Sequence, residues 1–122
     1  MLELSHKKLE VWKLGLELVK EVYQLTAKLP REETFGLTAQ MRRSSVSVVS
    51  NLAEGAARKS QKEKVRFFEV SRSSLVELDT QVQLCLTLNY FRETDLKILE
   101  PIVQSVFKIL SKLISNAEQK NN

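Results

Sequence analysis

Apolar residues near the start of the chain recur at three- and four-residue steps: Leu9, Trp12, Leu16, Val19 and Tyr23, with Val22 and Leu29 widening the stripe. That is the period of one face of an α-helix. The opposite positions (Glu10, Lys13, Glu17, Lys20, Glu21, Gln24, Lys28) alternate in charge, which suits i,i+4 pairing in solvent. Pro30 closes the pattern, because the residue before a proline avoids helical backbone. A first helix is therefore predicted over residues 7–28.

The same period returns three times. A second helix is predicted over 35–57, with Thr34 as N-cap and a narrow stripe of Leu37, Met41, Ser44 or Ser45, Val48, Leu52 and Ala56. It carries another stripe as well, Val46, Val49, Ala53 and Ala57, and many small side chains. A helix apolar on two faces is central in its bundle or meets another subunit. Gly55 marks either a close backbone approach or the helix end, at a local cost of about 1 kcal/mol relative to alanine. The third helix, 61–89, starts at a capping box formed by Ser60 and Glu63. Its stripe is Val65, Phe68, Leu75, Leu78, Val82 and Leu86. The fourth, 94–117, has Thr94 as candidate N-cap and the stripe Leu96, Leu99, Val103, Val106, Leu110 and Leu113. Pro101 falls inside this pattern, so the helix starts late or bends there. The polar tail from Glu118 is expected to fray.

Only 3 glycines and 2 prolines punctuate 122 residues, which leaves few tight turns and argues against a sheet protein. Four helices joined by short loops make antiparallel neighbours. The prediction is an all-α, up-down-up-down four-helix bundle forming a single domain over 1–122. The longest uncharged run, Thr80 to Phe91, has 12 residues. A membrane span needs about 20, so no membrane association is expected. With no secretory signal at the start and a lone cysteine, Cys85, a reducing cytoplasmic location is expected.

The charge is uneven. From Arg42 to Arg72 there are eight Lys/Arg against three acids, a net of +5, while the remainder has eleven against twelve, a net of −1. Such a basic patch suits a polyanionic partner, or it is a solvated face that keeps the protein soluble. Arg42, Arg43, Arg58, Lys59, Lys62, Lys64 and Arg66 are the candidate phosphate contacts. The last five gather where the third helix begins, where cations oppose the helix dipole and free N–H groups favour an anion. A second constellation, Gln40, Arg43, Asn51 and Glu54, sits on the second helix. It is read as an interhelical polar network, with a ligand site as the alternative.

Candidate chemistry is sparse. The chain has 1 histidine, His6, and 1 cysteine, Cys85, so neither a zinc cluster nor a Cys/His pair is indicated. Cys85 reads as a buried small hydrophobe. Glu32 and Glu33 read as solvated loop charges, and Glu77 and Asp79 do not share a helix face. There is no glycine-rich phosphate loop and no Glu-x-x-His pair. No enzyme activity and no cofactor is expected.

Several strings form a pattern: Leu9-Glu-Val-Trp12, Tyr23-Gln-Leu-Thr26, Leu29-Pro30, Gly36-Leu-Thr-Ala-Gln40-Met-Arg-Arg43 and Ser47-Val-Val-Ser-Asn51-Leu-Ala-Glu54-Gly55. Arg58-Lys-Ser60, Arg66-Phe-Phe68 and Glu77-Leu78 continue it. Together they resemble the 23S rRNA intervening-sequence protein family over roughly residues 9–91. Val49 stands where that family usually has proline, Ser73 where it has glycine, and Ala56 where an aromatic is common. The resemblance implies an antiparallel four-helix bundle that assembles with itself as a ring, often a homopentamer, with a basic surface for RNA or DNA. A more distant resemblance is to the accessory variability determinant proteins of diversity-generating retroelements, which implies a reverse transcriptase as a further partner.

Overall fold

In the computed structural model, which describes residues 1–121, four helices run as α1 (Glu10–Thr26), α2 (Leu37–Ala57), α3 (Gln61–Thr87) and α4 (Leu99–Asn121). Short 3-10 turns, Ser5–Lys8, Arg31–Glu33 and Glu93–Leu96, precede α1, α2 and α4. There is no strand among the described residues. Sequential helices pack on each other and α4 closes on α1, with the most extensive contact between α2 and α3. α1 and α3 thus stand diagonally opposed. On α3, Ser71, Ser74 and Glu77 meet Val48, Ser47 and Ser44 of α2 in reversed order, which is an antiparallel register.

The ends show how local chemistry sets these bounds. Ser60 Oγ accepts from Glu63 N at 3.0 Å, the N-cap that the Ser-x-x-Glu spacing predicts. α3 ends in a Schellman motif: Asn89 adopts φ 62°, Tyr90 N donates to Cys85 O and Asn89 N to Leu86 O. Thr34 is not the cap of α2, because its hydroxyl turns back to Arg31 O. Gly36 is the N-cap residue, and Glu33 supplies the acceptor from the loop, with Oε1 accepting from Leu37 N at 3.1 Å; Phe35 is left in solvent outside the helix. Thr94 likewise lies inside a 3-10 turn, which is held by Arg92 N donating to Asp95 Oδ2. α4 starts late, at Leu99, and Pro101 occupies its third position. A proline there forfeits only an N–H that has no intrahelical acceptor anyway.

The core is built from Val11, Leu18, Val22 and Leu25 of α1, Met41, Val48 and Leu52 of α2, Phe68, Leu75 and Leu78 of α3, and Leu99, Val106 and Leu110 of α4. For α1 this corrects the sequence reading. The predicted stripe is not the core face: Leu9, Leu16 and Tyr23 are exposed, and Trp12 and Val19 are half-buried. The buried row runs through Val11, Gly15, Leu18, Val22 and Thr26. Gly15 is the reason that row was hidden. It has no side chain to register as apolar, and a Cβ there would lie 3.0 Å from Val49 Cγ2, so its absence lets α2 close on α1. In α3, the core row includes Ser71 and Gln81. Ser71 donates to Val48 O at 2.6 Å, whereas Gln81 Oε1 is buried with no partner among the described residues.

Candidate nucleic-acid interface

The five cations around the α2–α3 turn are brought to one end of the bundle, and they are not equivalent there. Arg58 Nη2 donates to Glu54 Oε2 at 2.9 Å, and its Nε lies 3.7 Å from Glu63 Oε2. Its guanidinium also lies over the Phe67 ring, 4.6 Å from the centroid, with that of Arg66 at 5.7 Å. Lys64 is half-buried and turns back to cap α2, with Nζ 3.0 Å from Ala56 O and 3.4 Å from Gly55 O. A cation at these carbonyls meets the negative end of the helix dipole. Lys59, Lys62 and Arg66 are exposed and make no ion pair with any described residue. Glu63 and Glu69 stand among them along a shallow concavity that Lys62 and Arg66 share.

Arg42 and Arg43 lie elsewhere. They sit in the first half of α2, about 22–24 Å along the helix from Arg58 at 1.5 Å per residue. Arg42 is half-buried and binds α1: Nε donates to Thr26 Oγ1 at 2.9 Å, Nη2 approaches Tyr23 O at 3.4 Å, and the guanidinium lies 4.5 Å from the Tyr23 centroid. It joins the C-terminal end of α1 to α2. Arg43 is exposed.

Among the described residues no hydrogen bond joins Gln40, Arg43, Asn51 and Glu54 to one another. Gln40, Arg43 and Glu54 point into solvent, Asn51 Nδ2 donates to Ser47 O and Oγ, and Glu54 pairs with Arg58. The polar seam actually built between α2 and α3 uses other residues: Ser44 donates to Glu77 Oε1 at 2.8 Å, and the Ser47 and Ser74 hydroxyls lie 2.8 Å apart. The distinctive Ser-Asn-x-Ala-Glu-Gly string is thereby given a structural meaning. Its asparagine folds back on Ser47, and its glycine admits Phe68, whose Cδ1 and Cε1 would lie 2.7 Å from a Cβ at Gly55.

Glu33 is a residue that sequence reasoning missed. Besides capping α2, its Oε2 accepts from the Tyr90 hydroxyl at 3.0 Å, so it ties the loop before α2 to the turn after α3. That hydrogen bond raises the Tyr90 pKa by favouring the protonated phenol. No single-residue pattern announces such a contact across 57 positions. Cys85 is buried beside Met41, with Sγ 3.6 Å from Sδ. Desolvation, aided by the Glu33 charge, pushes its thiol up to about 11. A thiol held protonated is a poor nucleophile. Among the described residues no group of three or more His, Cys, Asp or Glu could hold a metal ion, and no helix is long and apolar enough to cross a membrane.

Four antiparallel helices with a polar seam and a basic end define a small all-α bundle protein. The chain belongs to the family described as 23S rRNA-intervening sequence protein, which it matches over residues 7–112. The fold is also similar to a crystal structure from Bacteroides thetaiotaomicron, a protein with unknown function from the S23 ribosomal protein family. That similarity has a TM-score of 0.78 at 19% identity, and it covers 85% of this chain and 97% of that one. No curated protein matches the chain in sequence.

Proposed function

We propose that this protein is a non-enzymatic homo-oligomer that contacts RNA or DNA phosphates through the α2–α3 end of each subunit. The observation that carries the binding part is the open cation set, Lys59, Lys62 and Arg66, beside the start of α3. Their long side chains reach phosphates without reading bases. Arg58 contributes less, since its two acids already hold it.

Assembly is supported by the apolar surface left outside the core. α1 exposes Leu16 and Tyr23, and α3 exposes Val70 and Leu84, with Leu88 at its end. The two patches lie on α1 and α3, which stand diagonally opposed in the bundle. A head-to-tail contact between different patches closes into a ring when the rotation allows, in keeping with the pentamer that the family resemblance implies. Glu54, Glu63 and Glu69 among the cations favour a second reading, in which the ring is purely structural and its charges only solvate it.

The test is fluorescence anisotropy against a structured RNA and a duplex DNA at two salt concentrations. The expected result is binding that weakens steeply with salt and is lost in the triple variant Lys59→Glu, Lys62→Glu, Arg66→Glu. An absence of binding at low salt eliminates the phosphate-contact reading and leaves the structural ring. In parallel, light scattering of Leu16→Glu and of the parent measures assembly. A parent that runs as a monomer at micromolar concentration overturns the ring.

A further inference from the structure

At the same end of the bundle, between the chain start, the α2–α3 turn and the end of α4, lies a cleft of about 350 Å³. Its floor is apolar, with Leu9, Phe68 and Leu113, and its walls carry His6, Lys64 and Lys120. Asn116 and Gln61 add amide groups, and none of the described lining residues is a carboxylate. His6 is only 7% exposed, yet neither ring nitrogen has a hydrogen-bond partner among the described residues, and its ring makes an edge contact with Trp12 at 4.7 Å between centroids. Gln81 Oε1 is the only buried side-chain polar atom without a partner among the described residues, so the His6 nitrogens keep solvent access at the cleft, where an incoming hydrogen-bonding group can reach them. Lys64 is held in place by the α2 carbonyls, and its ammonium has three N–H donors.

We propose that this cleft is a binding site for a small amphipathic carboxylate, whose head lies between Lys64, Lys120 and His6 and whose apolar body lies on Leu9, Phe68 and Leu113. The lining supports the assignment on both counts. Two lysines with no carboxylate among the described lining residues favour an anion over a neutral or cationic ligand, and an apolar floor with a few convergent polar groups is the usual form of a small-molecule site. This site is separate from the open cations of the turn, because Lys59, Lys62 and Arg66 do not line it.

The chain supplies its own reporters, since His6 and Trp12 are each the only residue of their type. Octanoate is titrated into the intact protein while the His6 ring proton resonances and the Trp12 fluorescence are recorded, with octanol and inorganic phosphate as separate arms. The expected result is a saturable shift of both signals with octanoate, and little or none with octanol or phosphate at equal concentration. Lys120→Gln, an exposed position, should fold as the parent does and bind octanoate about fivefold more weakly. Lys120→Arg should bind nearly as the parent does. An equal response to octanol shows a merely greasy surface and overturns the proposal. So does a flat response to octanoate up to its solubility limit, or unchanged affinity in Lys120→Gln. A phosphate response that matches octanoate reassigns the cleft to simple anions and overturns the amphipathic class.

Discussion

Gly55→Ala is the perturbation that best separates a helix read by propensity from a helix read by packing. Gly55 lies inside α2, where replacing glycine by alanine should stabilise by about 1 kcal/mol. The structure reverses the sign. The added Cβ would meet Phe68 Cδ1 and Cε1 at 2.7 Å and Phe67 Cβ at 3.2 Å, about 1 Å inside ordinary carbon contact. Phe68 is buried, so its ring has no free space to swing into, and overpacking of this kind costs about 1–3 kcal/mol. The net expectation is a loss of about 1 kcal/mol. The assay is urea denaturation followed by far-ultraviolet circular dichroism, at one fixed protein concentration because an oligomer's midpoint depends on it. The double variant isolates the cause. In a Phe68→Leu background the ring is gone, and Gly55→Ala should become neutral or stabilising, a coupling of about 1 kcal/mol or more. A rise in the midpoint for Gly55→Ala in the parent would refute the reasoning, since α3 would then not be seated on the bare backbone of α2.

Four further outcomes follow from the described contacts. Ser60→Ala should lose about 1 kcal/mol in the same denaturation assay, because Glu63 N loses its acceptor. Gln81→Leu should raise stability by about 1 kcal/mol, since it removes an unpaired buried oxygen; an unchanged or lower midpoint would show that Gln81 has a partner in solution. For Cys85, the folded thiol is held at about 11 against an ordinary 9.0, so the folded state keeps its proton where the unfolded state loses it. The associated stability is present below about pH 9 and declines by about 2 kcal/mol as pH rises towards 11. Urea midpoints across that range check the sign, and a Cys85→Ala variant should flatten the slope. Finally, ultraviolet titration of Glu33→Gln should move the Tyr90 midpoint down towards the ordinary tyrosine value, because the carboxylate that raised it is gone.

Much of this architecture was legible from local chemistry. Four periodic segments, few turn residues and the Ser60 N-cap defined the number of helices, their order and the start of α3 to the residue, because backbone hydrogen bonding and caps depend on neighbours three or four positions apart; the reciprocal half of the expected capping box does not form among the described contacts, since the Glu63 carboxylate lies toward Arg58. The concentration of cations between the second and third helices was legible for the same reason, since the α2–α3 turn is local. Periodicity did not reveal which of two apolar stripes on α1 is the core face. Leu9, Leu16 and Tyr23 are the more conspicuous row, but burial follows the row with Gly15, where α2 can come closest. Nor could spacing show that Lys64 caps α2, that Arg42 binds the end of α1, that Glu33 joins two loops, or that His6 lines a cleft with Lys120. Those facts arise from side chains far apart in sequence meeting after the helices pack. Periodicity specifies that a helix has an apolar face, and only the shape fit between helices decides which face is shared, which charges are already satisfied, and which remain free to meet a partner.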